Sequence, residues 1–514
     1  MFRKIVVKLK PILLELLKKI EQLEQTLSFQ QRIKVRKLKI IELPEKIVFF
    51  AFILVLYVSL LIKILLLEKD ISLVNIFFRF LGLTIFLYLI CNVVIKNFSL
   101  KTLLEQNKDY RKNFVIFWTL VILNTVIMLL YLINNLNFYL LPTTGIIVLA
   151  GILLGRFYGV LFSLVNIFIM GFFYYKDGAK IYLYMSVYFI VSIYALTLTE
   201  KIYSRKDIFK IILKTVTLNF ALSFLLEILI GYNINIFNFN INQIFLENEK
   251  SIFSILINNI LGGFISFYIV SIFLSPFENI YQKVTNIKLV ELSDFNNPLL
   301  KRLMSEAPGT YHHSITVATL AENVALKLGQ NSLLCRTTSL YHDIGKLIKP
   351  EYFIENRSFL KNQDREINPS LSALIIINHV KEGVKLAHEY KLDREIIDII
   401  EQHHGNSVIY GLYDKELELN LIDKELLRYP GPKPQSKEAA IIMICDSCEA
   451  ACRSIKLPDA QKIKQTVESV INTKFVDGQF DETPLTLRDL YIISNVVTQM
   501  LISLYHVRIR QKES

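Results

Sequence analysis

Between residues 47 and 275 the chain runs in long apolar stretches broken by short polar ones. A helix needs about 20 residues to cross roughly 30 Å of hydrocarbon. Runs of that order lie near 47–67, 75–96, 114–134, 157–175, 181–199, 209–231 and 252–275. A shorter one, 139–154, begins around Pro142 and carries no charge before Arg156. Counted as a short span, it brings the prediction to eight crossings. From about residue 299 the pattern changes to amphipathic segments with few alternating β-branched runs, which predicts an all-helical soluble domain. Residues 5–27 place Ile5, Leu9, Leu13, Leu16, Leu17 and Ile20 on one stripe, suited equally to a surface helix and to one lying on the inner leaflet.

The expected fold is therefore all-α: a basic N-terminal segment (1–46), a polytopic bundle (47–275), a linker helix (276–298) and a helical domain (299–514). Hydrophobic residues make up 53% of the 514 and charged ones only 20%, which excludes a disordered chain, a collagen and a simple soluble enzyme. Residues 1–46 hold 12 Lys/Arg against 5 Asp/Glu, so +7 of the net +12 sits before the first span. That balance suits anionic lipid and retention on the cytoplasmic side, and no nucleic-acid polymer is expected as partner. The basic stretches 97–113 and 200–210 fall on the same side as the N-terminus, while Glu247 and Glu249 fall opposite. Lys176 and Lys180 break the rule, but an even span count returns the C-terminal half to the cytoplasm. Lys63, Arg79 and Glu227 lie toward the outer span ends and read as snorkelling residues. No span shows the paired polar residues of a transport path. Pro276 is read as the end of the last span; Ile280, Val284 and Ile287 then share one face before Asn296-Asn297-Pro298. This linker reads either as a transmitter of membrane or homodimer geometry or as a tether. Cys91, Cys335, Cys445, Cys448 and Cys452 are too few and too clustered for a disulfide framework, and read as packing residues of a reduced domain.

The histidines carry the chemistry. All eight lie at or after His312, and seven fall within 312–404: His312, His313, His342, His379, His388, His403 and His404. His342 is followed by Asp343 in Tyr-His-Asp-Ile-Gly-Lys, His403 and His404 are tandem, and Asp446 sits in an apolar helical run where a carboxylate without a partner is costly. Five imidazoles and two carboxylates exceed what one open metal site needs. They suit two divalent ions bridged by a carboxylate, the arrangement used for in-line displacement at phosphorus, with Asp343 as the bridge. His388 and His506 read as ordinary polar residues. His312 points about 100° away from His313 on a helix and is assigned outside the first ring of ligands.

These residues resemble the HD superfamily of phosphohydrolases. The sequences Glu306-Ala-Pro-Gly-Thr-Tyr-His-His-Ser314, His342-Asp-Ile-Gly-Lys346, Asn378-His379-Val380, Glu401-Gln-His-His-Gly405 and Arg428-Tyr-Pro-Gly-Pro-Lys-Pro-Gln-Ser436 are similar to those of membrane-anchored, multi-span HD phosphodiesterases that degrade cyclic di-AMP. The resemblance is strong over about 276–510 and looser over the spans. It implies one metal on His313, His342, Asp343 and Asp446, and a second on Asp343, His379, His403 and His404. It implies Mn or Fe as the metals and a metal-activated hydroxide that opens the ring to linear pApA. Lys346 is placed where it reaches a phosphate oxygen or is a solvated surface lysine, and Arg428, Tyr429 and Lys433 lie in a Pro/Gly-rich loop beside the nucleotide. In one respect the chain departs from the pattern: relatives carry a sizeable extracellular domain after the first span, and here only residues about 68–74 are available.

Rival readings remain at this stage. A cyclic di-GMP enzyme would show Gly-Tyr-Pro shortly after the tandem histidines, where this chain has Gly405-Asn-Ser-Val-Ile-Tyr-Gly-Leu-Tyr413. A single-metal HD nucleotidase or alarmone hydrolase would not require His379, His403 and His404. A non-catalytic cyclic-dinucleotide receptor tolerates loss of ligands, yet every one is present. A transporter is disfavoured by the lack of paired intramembrane charges.

Overall fold

A computed structural model describes residues 109–134, 136–173, 180–229, 252–357, 369–409 and 427–510. The amphipathic segment 5–27, the runs 47–67 and 75–96, and Lys63, Arg79 and Cys91 lie outside the described residues. The chain divides into two compact units, Met1–Lys283 and Val284–Ser514. Both are helical; among the described residues the β pairing consists of an isolated antiparallel bridge between Val408 and Arg428.

In the first unit the helices are α1 (Asp109–Ile133), α2 (Thr143–Phe173), α3 (Lys180–Thr199), α4 (Arg205–Leu229) and α5 (Ile252–Tyr281). Five segments among the described residues are long and apolar enough to cross a membrane, with α2 counted as one of them. The contacts of α2 show that it is two helices joined at Gly155, whose φ of 81° and ψ of 175° no helix adopts. A Cβ on either Gly151 or Gly159 would strike the Leu196 side chain, yet a straight helix would hold those positions about 12 Å apart. Phe117 stacks edge-on against Phe162 and Asn124 donates to Asn166, so the later half of α2 runs parallel to α1. The earlier half runs parallel to α5, through Leu140 beside Gly262 and Thr144 bonded to Ser266. The chain therefore folds back on itself at Gly155. Lys112 donates to the Gln282 carbonyl and Thr119 meets Tyr281, which puts the start of α1 and the end of α5 at one end of the bundle.

Three expectations are corrected here. The last helix does not stop at Pro276 but continues to Tyr281, with Gln282 then turning the chain at a φ of 49°. Paired polar residues do occur between helices: Asn124 with Asn166, and Asn219 with Asn259. Glu227 does not snorkel, because it is 1% exposed and bonded to two tyrosines.

The second unit opens with α6 (Asn286–Leu292), capped by Thr285. It is no free tether within its unit. Leu289 is buried in the core, Lys288 pairs with Asp393 at 2.7 Å, and the Leu292 carbonyl accepts from Tyr341. There follow α7 (Pro298–Glu306), α8 (Pro308–Leu328), α9 (Ser332–Tyr341), α10 (Ile354–Arg357), α11 (Pro369–Glu389), α12 (Arg394–Gln402), α13 (Lys437–Arg453), α14 (Ala460–Val476) and α15 (Leu487–Arg510). The apolar stretch Ala439–Ile444 on α13 lies at the centre of one core, against Val317, Ala321, Val467 and Val497. Four described cysteines are free and buried, as packing residues should be.

Candidate metal centre

Five helices or helix ends bring the candidate ligands together. His313 comes from the first turns of α8, His342 from the C-cap of α9, and Asp343 from the residue that opens the 3-10 turn Ile344–Ile348. His379 lies inside α11, His403 and His404 follow α12, and Asp446 lies midway along α13. Gly345 makes the approach possible: a Cβ there would overlap the His379 carbonyl, so only glycine lets the 3-10 turn lie against α11.

Two groups result, Asp343–His379–His403–His404 and His313–His342–Asp446, each with donor atoms within 4.8 Å of one another. Asp343 stands between them. Its Oδ2 faces His342 Nε2 at 3.3 Å and His313 Nε2 at 3.6 Å, while its Oδ1 faces His379 Nε2 at 3.2 Å and His403 Nε2 at 3.8 Å. Asp446 Oδ1 lies 3.0 Å from His313 Nε2 and its Oδ2 lies 3.6 Å from His404 Nδ1.

The outer nitrogens are held. Nδ1 of His342 donates to the Ser339 carbonyl at 2.7 Å, that of His403 to the Ile400 carbonyl at 2.8 Å, and that of His379 to the Ile376 carbonyl. In each case the acceptor lies three residues back, so helix geometry itself sets the tautomer and turns the Nε2 lone pair inward. His313 instead uses Glu449, 2.6 Å away and one turn beyond Asp446. Nε2 of His342 and Oδ1 of Asp343 are buried and make no hydrogen bond. Buried polar atoms left so in a ring of imidazoles and carboxylates fit a divalent cation.

Burial opposes ionisation of Asp343, but Lys346 and His342 hold its carboxyl well below the usual range; His313 and His342 do the same for Asp446. Burial is likewise outweighed at His342, which Asp343 pushes up to about 10. Burial, helped by His342, pushes His403 down to about 3, and burial with His403 lowers His404. Ionised carboxylates and neutral imidazoles are the forms that bind metal, so the two aspartates, His403 and His404 are held ready. His342 and His313, the latter raised against its burial by Asp446 and Glu449, instead give up a proton when a cation enters.

Around this cluster, Lys346 Nζ sits 2.7 Å from Asp343 Oδ2 and 2.8 Å from Glu355 Oε1, and so is neither solvated nor unpaired. Tyr429 stacks on His404, with ring centroids 4.2 Å apart, and meets His379 edge-on. Arg428 and Lys433 are directed elsewhere: Arg428 to Asp477 and the Asn406 carbonyl, Lys433 to Asp481. Buried Lys474 donates to Ser407, whose hydroxyl donates to the His404 carbonyl, bracing the tandem pair. His312 and His388 are exposed, and the side chain of His506 is outside the described set. Beside His379 opens a mainly apolar cleft of about 330 Å³, lined by Gly345, Ile348, Phe353, Asn378 and Pro430 among others. Glu449 and Glu355 were missed by the sequence reading; the i, i+3 spacing of Asp446 and Glu449 is the one signal for the first.

The model of the HD domain family matches residues 310–451. The chain is 41% identical over 262 residues to the cyclic-di-AMP phosphodiesterase PgpH of Bacillus subtilis (strain 168), covering 51% of this chain and 37% of that protein. It is 44% identical over 251 residues to the PgpH of Listeria monocytogenes serotype 1/2a (strain 10403S), covering 49% and 35%. The chain thus spans little more than a third of the length of these curated relatives. The crystal structure of the L. monocytogenes PgpH HD domain in complex with cyclic-di-AMP is 43% identical, with a TM-score of 0.40, covering 41% of this chain and all of that one.

Proposed function

We propose, on the premise that residues 310–451 are an HD domain, that this membrane protein is a metal-dependent phosphodiesterase hydrolysing a cyclic dinucleotide, specifically cyclic di-AMP to linear pApA. The observation that carries the proposal is Asp343, whose two oxygens each face a different set of imidazoles. On this reading one ion is held by His313, His342, Asp343 and Asp446, and the other by Asp343, His379, His403 and His404. Two divalent ions, Mn or Fe, would supply charge neutralisation and an activated water at phosphorus. Asp343 and Lys346 act at the reacting centre, the lysine ammonium meeting phosphate charge from its place between Asp343 and Glu355. The ring of Tyr429, fixed by stacking on His404, offers a flat surface to a base, and the apolar cleft beside His379 offers depth. Arg428 and Lys433 shape the loop that carries Tyr429.

The basic segment 1–46 supports a cytoplasmic N-terminus and a cytoplasmic catalytic domain, where a cyclic dinucleotide would be found. Incubation of the solubilised full chain with Mn²⁺ and cyclic di-AMP should yield pApA. Faster cleavage of cyclic di-GMP would change the substrate, and nucleotide binding without turnover would leave a receptor.

A further inference from the structure

Two residues before the end of α4, Glu227 lies buried in the membrane-spanning unit. Its Oε1 accepts from the hydroxyl of Tyr139 at 2.6 Å, on the 3-10 turn Phe138–Leu140, and from that of Tyr184 at 2.7 Å, on α3. Its Oε2 is equally buried and accepts nothing. One and two helical turns back on the same face stand Ser223 and Asn219, 1% and 7% exposed, whose Oγ and Oδ1 also accept nothing. The Asn219 amide is occupied by Asn259 Oδ1 at 2.6 Å, which leaves its carbonyl oxygen as the free end. Three polar groups at i, i+4 and i+8 therefore stand along the buried face of α4, with no hydrogen bond made to the carboxylate, hydroxyl or amide oxygen that each leaves over.

Both tyrosines are neutral donors. They solvate one carboxylate oxygen but do not balance its charge, and Glu227 enters no ion pair among the described residues. A carboxylate in apolar surroundings needs a compensating partner. The oxygen-only donor set, of carboxylate and hydroxyl, is that of a hard metal ion rather than a transition metal. A single negative charge is matched by a single positive one; a divalent ion would leave a net charge in a low-dielectric region.

We propose that Glu227 and Ser223, one helical turn apart, form a binding site for a monovalent metal cation, Na⁺ or K⁺, with Asn219, two turns from Glu227, too far along the helix to touch the ion. The site lies at the end of the bundle where Asn137 meets Ser254, remote from the end where Lys112 meets Gln282. Because Glu227 already joins α4 to α3 and to the 3-10 turn, an ion bound there stiffens three elements together. It is independent of the metal cluster and of what that cluster hydrolyses.

The test uses the full chain in lipid nanodiscs, melted at constant ionic strength while choline chloride is replaced stepwise by NaCl or by KCl. The melting temperature of the wild type is expected to rise saturably with one of the two alkali ions. Glu227→Gln, which keeps the shape and both tyrosine hydrogen bonds, should melt at one temperature in all three salts. Ser223→Ala should raise the half-saturating concentration several-fold while reaching the wild-type plateau. Should Glu227→Gln not fold, the wild-type and Ser223→Ala titrations decide alone. Identical wild-type melting in all three salts, an undiminished response in Glu227→Gln, or an unmoved half-saturation in Ser223→Ala would each overturn the proposal.

Discussion

Nδ1 of His313 lies 2.6 Å from Oε2 of Glu449, so one imidazole of the cluster is backed by a carboxylate while His342, His379 and His403 are backed by main-chain carbonyls. A full negative charge behind the ring makes Nε2 a better donor to a cation than a carbonyl dipole does. Replacing Glu449 with Gln should weaken metal retention by about 10–100-fold, the usual cost of losing such a partner. Chelator competition on the purified variant measures this directly, and an unchanged affinity would show that Glu449 only fills space.

Asp343 faces both groups of ligands, so Asp343→Ala is expected to lose both ions and nearly all turnover. His379 belongs to one group only, and His379→Ala should retain one metal equivalent while losing most hydrolysis. The exposed His388 is the control, and its alanine variant should keep two equivalents. Elemental analysis of the three proteins checks the assignment.

Helix α6 lies at the start of the second compact unit. A fragment starting at Val284 keeps the Thr285 cap, the Lys288–Asp393 pair and the burial of Leu289; one starting at Asp294 loses all three. Burying a leucine is worth about 1.5–3 kcal/mol, and each kcal/mol moves the melting temperature of a domain this size by about 2–4 °C. The longer fragment should therefore melt roughly 5–10 °C higher by calorimetry. Equal melting temperatures would return α6 to the role of a tether.

At Gly345 an added methyl group would meet the His379 carbonyl and the Gly383 nitrogen, neither of which is a flexible side-chain end. Gly345→Ala should push α11 away from the 3-10 turn and lower metal occupancy on the His379 side before the His313 side. Stepwise metal titration with ligand-sensitive absorption of Co²⁺ would resolve the order of loss.

The seven candidate ligands were legible because metal chemistry admits few residue types, and because an aspartate inside Ile-Ile-Met-Ile-Cys-Asp has no bland explanation. Glu449 and Glu355 were not, since a glutamate on a helix ordinarily reads as solvated surface and their partners come from distant elements. The ion pairs of Arg428 and Lys433 were not legible for a related reason: Asp477 and Asp481 follow α14 and share no local pattern with the loop. In the spans, hydropathy located the short run 139–154 but could not see that Tyr139 and Tyr184 enclose Glu227. It also overrated Pro276, which removes one amide hydrogen without ending the helix.

The reversal at Gly155 has a consequence for how this protein can respond to lipid. The half of α2 before it, from Thr143 to Leu154, is buried along almost its whole length among α1, α3 and α5. At about 1.5 Å per residue those residues reach only some 18 Å, well short of a bilayer's hydrocarbon. Walled in by protein, this half is released from any need to match membrane thickness. Changes in bilayer thickness, tension or acyl composition have almost no surface on it to act on directly; they arrive through the neighbours that surround it.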